Sequence, residues 1–359
     1  MKLNRHGSWF LLVALATVAI AAPQQRLFTW ESKKGDFAIR QIQSQLIEGA
    51  PDSGFKVEFK GSPLTGFSKS QSIDFTGTTL NATIKTASGG SMFLDSGTLT
   101  GQVTLWVDKG KASEQTLTTS TLSFKENADR SGANVTLPQS FVVVAKRDGA
   151  ESARITAQSG SLVLSGKADQ NRTITSAQLS GALTAKTSGT RGSATYSTTL
   201  STQSLRMREG DVGSVFTLSN AFQFVDQESA GGSGSARKFS LSGSGGTLTL
   251  PSVFGASKRT GRPIKSASIS GKVILVLETT PAKGGNAEPS VIRATGDKLT
   301  MDASGRIELS GNVEMETDSL KGSSDFAYIL VDENMKVLKY GAGGNPAKAD
   351  YKPSSGGGR

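Results

Sequence analysis

The side chains that carry most enzymatic chemistry at neutral pH are nearly absent from this chain. It has no cysteine, and its single histidine, His6, lies in an N-terminal segment that reads as an export signal. Ser-His-Asp and Cys-His nucleophiles therefore have no residues to use, and neither do zinc sites of the usual ligand types. Carboxylates remain. Pairs such as Glu314/Glu316 and Asp95/Asp108 have the residue type for general acid and base work, but alternating acids on a strand read as a solvated face. A carbohydrate-active enzyme on a β-scaffold would need two acids facing one cleft. Gly243-Ser-Gly245-Gly246 has the glycine content of a phosphate loop, yet no Gly-Lys-Ser or Gly-Lys-Thr follows it and no helical pattern opens after it. The expectation is a protein that is not an enzyme, with no catalytic residue, no metal and no cofactor.

What the sequence does carry is a strand signature in which two apolar residues flank a glycine, each at one residue's remove. Its clearest copy is Leu309-Ser-Gly311-Asn-Val313-Glu-Met315. Leu99-Thr-Gly101-Gln-Val103-Thr-Leu105, Leu179-Ser-Gly181-Ala-Leu183 and Ile269-Ser-Gly271-Lys-Val273-Ile-Leu275 repeat it. Leu137-Pro-Gln139-Ser-Phe141 and Leu218-Ser-Asn220-Ala-Phe222 carry Gln and Asn at the glycine position, and Phe59-Lys-Gly61 is a weaker first copy. The marks at 61, 101, 139, 181, 220, 271 and 311 are 40, 38, 42, 39, 51 and 40 residues apart, which predicts stacked β-repeats. Upstream of most marks stands a Leu-x-apolar pair, such as Leu122/Phe124, Leu162/Leu164 or Leu299/Met301, so each unit supplies at least two strands.

Those strands read as a sheet with one apolar and one wet face. Ile307, Leu309, Gly311, Val313 and Met315 share one parity, while Glu308, Ser310, Asn312 and Glu314 share the other. Asp302-Ala-Ser-Gly305 has the composition of a hairpin turn. The runs Val273 to Leu277 and Phe141 to Ala145 are apolar on both sides, which predicts strands covered on both faces or facing a partner. Gly231 to Ala236, Pro251 to Pro263 and Pro281 to Pro289 are Gly/Pro-rich excursions.

Residues 1–22 have the layout of a signal peptide, with Lys2 and Arg5, an apolar run from Trp9 to Ala22 and a small-x-small site at Ala19-Ile-Ala21. The run is shorter than the roughly twenty residues of a spanning helix, so cleavage and a periplasmic location are expected, with an uncleaved inner-membrane anchor as the alternative. In an exported chain without cysteine, stability must come from the hydrogen-bonded sheet and its apolar face. The chain is basic, with 40 Lys+Arg against 30 Asp+Glu, and this suits an anionic partner or a solvated edge. With 6% aromatic residues, nucleic acid is not expected. Residues 23–352 read as one continuous body and 353–359 as a disordered Gly/Ser tail.

The last part of the chain carries a longer phrase. Arg293-Ala-Thr-Gly-Asp-Lys-Leu-Thr-Met301 leads into Ile307-Glu-Leu-Ser-Gly-Asn-Val-Glu-Met315, followed by Asp325-Phe-Ala-Tyr-Ile-Leu330 and Gly344-Asn-Pro-Ala347. Over 293–351 this resembles the OstA-like (LptA/LptC) family of lipopolysaccharide-transport proteins, although the chain is about twice as long as that family's bridge protein and two middle marks carry Gln139 and Asn220. The resemblance implies an elongated, open, twisted β-jelly-roll of stacked V-shaped antiparallel units, whose apolar interior holds lipid acyl chains and whose edge strands join end to end. It implies lipopolysaccharide or another anionic glycolipid as cargo. Envelope transport proteins, or a second copy of the chain, are the implied edge partners. Carried onto the best repeats, the groove would be lined by Leu99, Val103, Leu105, Leu179, Leu183, Ile269, Val273, Leu275, Leu309, Val313 and Met315. The alternative is a non-catalytic structural or adhesive β-solenoid of the cell envelope, in which the same residues fill a closed core.

Overall fold

The computed structural model describes residues 27–50, 54–87, 92–166, 173–211, 213–229, 235–251, 261–281, 288–344 and 348–351. Residues 1–22, read as an export signal, residues 353–359, read as a disordered tail, most of the Gly/Pro-rich excursions (231–234, 252–260 and 282–287) and 345–347 of the C-terminal phrase lie outside the described residues. Within them the chain is all-β, with 23 strands, no α-helix and a single 3-10 turn at Lys69–Gln71. The strands join into one antiparallel sheet.

Side-chain alternation assigns the faces. On the inner face Leu80 pairs with Leu99 and Leu99 with Leu122. Further along the sheet, Ile269 pairs with Leu299, Leu299 with Leu309, and Leu309 with Ala327. The outer face carries hydroxyls in register: Thr98 opposite Ser123, Ser123 opposite Thr136, and Thr136 opposite Ser161. Thr98 Oγ1 and Ser123 Oγ are 3.0 Å apart. Threonine suits this face because its branched carbon packs on the pleat while its hydroxyl meets water.

Long strands do not run straight. Gly54–Ser68, Ile73–Thr86, Met92–Val107, Thr173–Arg191 and Ser266–Thr280 each pair with a neighbour twice, once on either side of a register break. At four marks the break is made by two consecutive left-handed residues. They are Gly101 and Gln102 (φ +77 and +45), Gly181 and Ala182 (+72 and +29), Gly271 and Lys272 (+71 and +46), and Gly311 and Asn312 (+73 and +48). The first residue of each pair must be glycine for a second reason. A Cβ on Gly101 would stand 2.0 Å from Thr78 Oγ1, on Gly181 2.2 Å from Gln158 Oε1, and on Gly311 2.6 Å from Asp297 Oδ2. A polar side chain thus lies over each corner glycine, from the neighbouring strand at Thr78 and Asp297 and from the junction of two strands at Gln158 and Ser244. At 139 and 220 no such kink forms. There the strand stops at Leu137 or Leu218 and restarts at Phe141 or Phe222, which is why Gln and Asn are tolerated.

The corners divide the sheet into two half-sheets. The first begins at Ser44–Ala50 and ends at Val337–Gly343; the second begins at Phe28–Glu31 and ends at Lys348–Tyr351. Apolar side chains of both meet in one continuous core. At the N-terminal end Trp30 packs against Phe37, Phe55 and Phe59, with centroids 5.8, 6.4 and 6.0 Å away. The hairpin turn at Asp302 is closed by its own carboxylate, whose Oδ1 accepts from Ser304 Oγ (2.6 Å), Ser304 N (2.9 Å) and Arg306 N (3.1 Å). These bonds, the Ser304 hydroxyl first, hold the Asp302 carboxyl below its ordinary range.

Two outcomes follow. Gly311→Val should cost about 2–4 kcal/mol in urea unfolding, because it adds backbone strain and displaces Asp297, whereas Asn312→Gly should be near neutral. Since the folded Asp302 carboxyl is depressed, its contribution is fully present above the ordinary value of 3.8 and is lost as pH falls through the folded value. Asp302→Ala should therefore lose stability at neutral pH and show a shallower decline into acid than the parent chain, read from urea midpoints across that range.

Candidate functional site: an apolar hollow between the half-sheets

The two half-sheets do not meet equally well along their length. Between residues 71 and 174 they enclose a hollow of about 120 Å³. The first half-sheet contributes Leu80, Leu94, Leu99, Leu122 and Phe124, and the second contributes Ile73, Phe75, Leu105, Leu117 and Val143. Gly97 also lines it. Polar lining is confined to Gln71, Gln115 and Thr116 at strand ends of the second half-sheet.

Gln71 bridges the two half-sheets at the hollow. It ends the 3-10 turn and is 3% exposed, and its Nε2 donates to Leu94 O (3.2 Å) and Glu126 Oε2 (3.2 Å) while its Oε1 accepts from Leu94 N (3.3 Å). Leu94 pairs with Ile84 on one side, but on the other the pairing of Met92–Val107 with Gln115–Glu126 reaches only Ser96, so a side-chain amide takes the place of a neighbouring strand for Leu94. Leu94 and Glu126 belong to the first half-sheet, so Gln71 ties the two lips together.

Of the residues expected to line a groove, Leu99 and Leu105 line this hollow. Val103, Leu179, Leu183, Ile269, Val273, Leu275, Leu309, Val313 and Met315 lie in the filled core, each at most 4% exposed. The far part of the core is closed by larger groups, including Phe224, Phe239 and Leu241, with the rings of Phe224 and Phe239 edge to face at 6.0 Å. The Leu-x-apolar pairs Leu122/Phe124 and Leu162/Leu164 line the hollow, so the upstream strand signal pointed at it more directly than the glycine marks did. Gln71 has no comparable signal, because a lone glutamine in a Lys-Ser-Gln turn carries no pattern.

The carboxylates considered above sit elsewhere. Asp95 pairs with Lys85 at 2.9 Å and Asp108 with Lys111 at 2.5 Å, on strand ends of different half-sheets. At the rim, Gly110 N and Lys146 Nζ bond Glu114, at 2.9 and 3.2 Å, and hold its carboxyl below the ordinary range.

No protein-family model matches this chain, and no curated protein or solved structure matches it either. The hollow therefore stands on its own geometry. Val273→Lys would bury an unpaired ammonium at a position with no exposure and should abolish the cooperative unfolding transition. Leu105→Lys, at a half-buried position on the hollow, should cost only about 1–3 kcal/mol in the same urea experiment, because the ammonium can reach solvent through the opening.

Proposed function

We propose that this chain is an exported lipid-binding protein of the cell envelope, holding acyl chains of a lipopolysaccharide-type anionic glycolipid between its two half-sheets on the way to the outer membrane. The observation that carries the reading is the hollow itself, an almost wholly aliphatic and aromatic enclosure at the open side of a bent sheet. Such a site needs no catalytic group, since each buried methylene contributes about 0.8 kcal/mol.

The OstA-like architecture, an open twisted jelly-roll of stacked V-shaped units, is part of the same proposal. In its support, the glycine marks at 101, 181, 271 and 311 all fall on the corner where strands bend. The terminal edges support the partner reading. Leu46 and Ile47 are 55% and 38% exposed on one edge strand of the first half-sheet, and Leu338 and Tyr340 are 59% and 38% exposed on the opposite edge strand. Unpaired strands with apolar side chains are templates for another sheet, either of a transport partner or of a second copy. In this arrangement the protein would sit in the periplasm.

A second reading, a structural or adhesive β-solenoid, is favoured by one specific observation: from Leu179 to Met315 the expected groove residues are packed into a closed core. Mass spectrometry of organic extracts from the gently purified native protein separates the two. Stoichiometric anionic glycolipid is the expected result. A lipid-free protein that also fails to take up added lipopolysaccharide would overturn the lipid reading in favour of the solenoid.

A further inference from the structure

Granting from the reading above only that the chain binds lipid, the size and boundaries of this hollow point to a smaller ligand than the multi-chain glycolipid named there. A volume of about 120 Å³ is somewhat less than the 150 Å³ or so of an engineered cavity that accommodates benzene. It has room for the terminal methylenes of one hydrocarbon chain, not for the several chains of a glycolipid side by side. Passage along the axis is closed at both ends. Trp30, Phe37 and Phe59 pack together on the N-terminal side, and Phe224, Phe239 and Leu241 fill the core on the other. The way in is lateral, between the strand ends that Gln71 ties together.

The charged groups nearby do not mark that way in: three cations are laid over aromatic rings whose side chains alternate with hollow-facing residues and so face away from the hollow. Lys69, two residues from the lining Gln71, is 5.8 Å from the Phe67 ring centroid. Lys109, two residues from the lining Val107, is 4.2 Å from that of Trp106. Arg130 is 4.2 Å from the centroid of Phe93, next to the lining Leu94, and its Nε is buried without a hydrogen-bond partner. Several acids near the same rim are engaged: Glu126 by Gln71, Glu114 by Lys146, and Asp108 by Lys111. Asp74 lies opposite Trp106 in register.

We infer that the hollow is a binding site for one hydrocarbon chain end, that of a single-chain amphiphile such as a fatty acid, which enters between the half-sheets while the head group stays outside. The test uses the mature full chain and displacement of a dansyl-labelled fatty acid by a homologous series of saturated fatty acids, with their methyl esters and lipid A run in parallel. Binding should be one to one. Affinity should rise about fourfold per added methylene until the hollow is full and then level off. Leu122→Trp should reduce binding of acids and esters alike; Leu105→Trp at the half-buried lip does the same without touching the deep core. Chain-length-independent binding, or lipid A loading one to one while fatty acids do not bind, would overturn the single-chain inference and leave the lipid reading standing. If neither the fatty acids nor lipid A binds and the native protein is lipid-free, both fall.

Discussion

The contact on which the whole architecture rests is small: a polar side chain, from the next strand or from the junction of two strands, laid over a left-handed glycine. Thr78 over Gly101, Gln158 over Gly181, Ser244 over Gly271 and Asp297 over Gly311 are successive instances of it. An extended strand of fifteen or more residues would make a flat, two-sided sheet with nowhere to place its apolar face. Two left-handed residues in a row fold the strand back over itself, so that its two halves present the same face to each other. The corner therefore creates the core, and the core is what allows a chain without a single cysteine to hold together. Residues that cannot follow glycine into that conformation are accommodated by ending the strand, as at Leu137 and Leu218.

Once two half-sheets face each other, the volume between them depends on which side chains meet there. Where Phe224, Phe239 and Leu241 meet, the space is full. Where Leu80, Leu99, Leu105 and Leu117 face one another instead, about 120 Å³ is left unfilled and the hollow results. Neighbouring strand ends then lack a partner, and Gln71 supplies backbone-like hydrogen bonds to Leu94 in place of one. The hollow and its latch are thus two consequences of one local shortfall in packing.

The all-β character was legible because alternation is a property of the chain itself: the parity of Leu309, Val313 and Met315 against Glu308 and Glu314 needs no tertiary knowledge. Parity also placed Leu99 and Leu179 on the inner face, where they lie. It could not say that Leu99 would border empty space and Leu179 would not, because that depends on the half-sheet opposite, brought there by corners whose geometry the sequence only marks. The glycine positions showed where something recurs. That what recurs is a bend, with a polar side chain as its lid, followed only from the register breaks and the φ values. Gln71 was illegible for a related reason, since its role is set by a strand pairing that fails more than twenty residues away.

Lipid access and fold stability can be separated in such a molecule. Each strand touches mainly its immediate neighbours, so the free energy of folding accumulates along the length and a local parting of the lips leaves distant columns paired. Parting them breaks the hydrogen bonds of Gln71, three in all, at a net cost of about 1 kcal/mol each. Burying about four methylenes returns roughly the same amount. A chain end of that length balances the latch, and every further methylene that finds apolar wall favours the open, loaded form. Under the proposed lipid binding, the latch would exclude ligands with shorter apolar ends while leaving the aromatic packing at Trp30 and the filled core beyond Leu179 undisturbed, so that loading would select for hydrocarbon length.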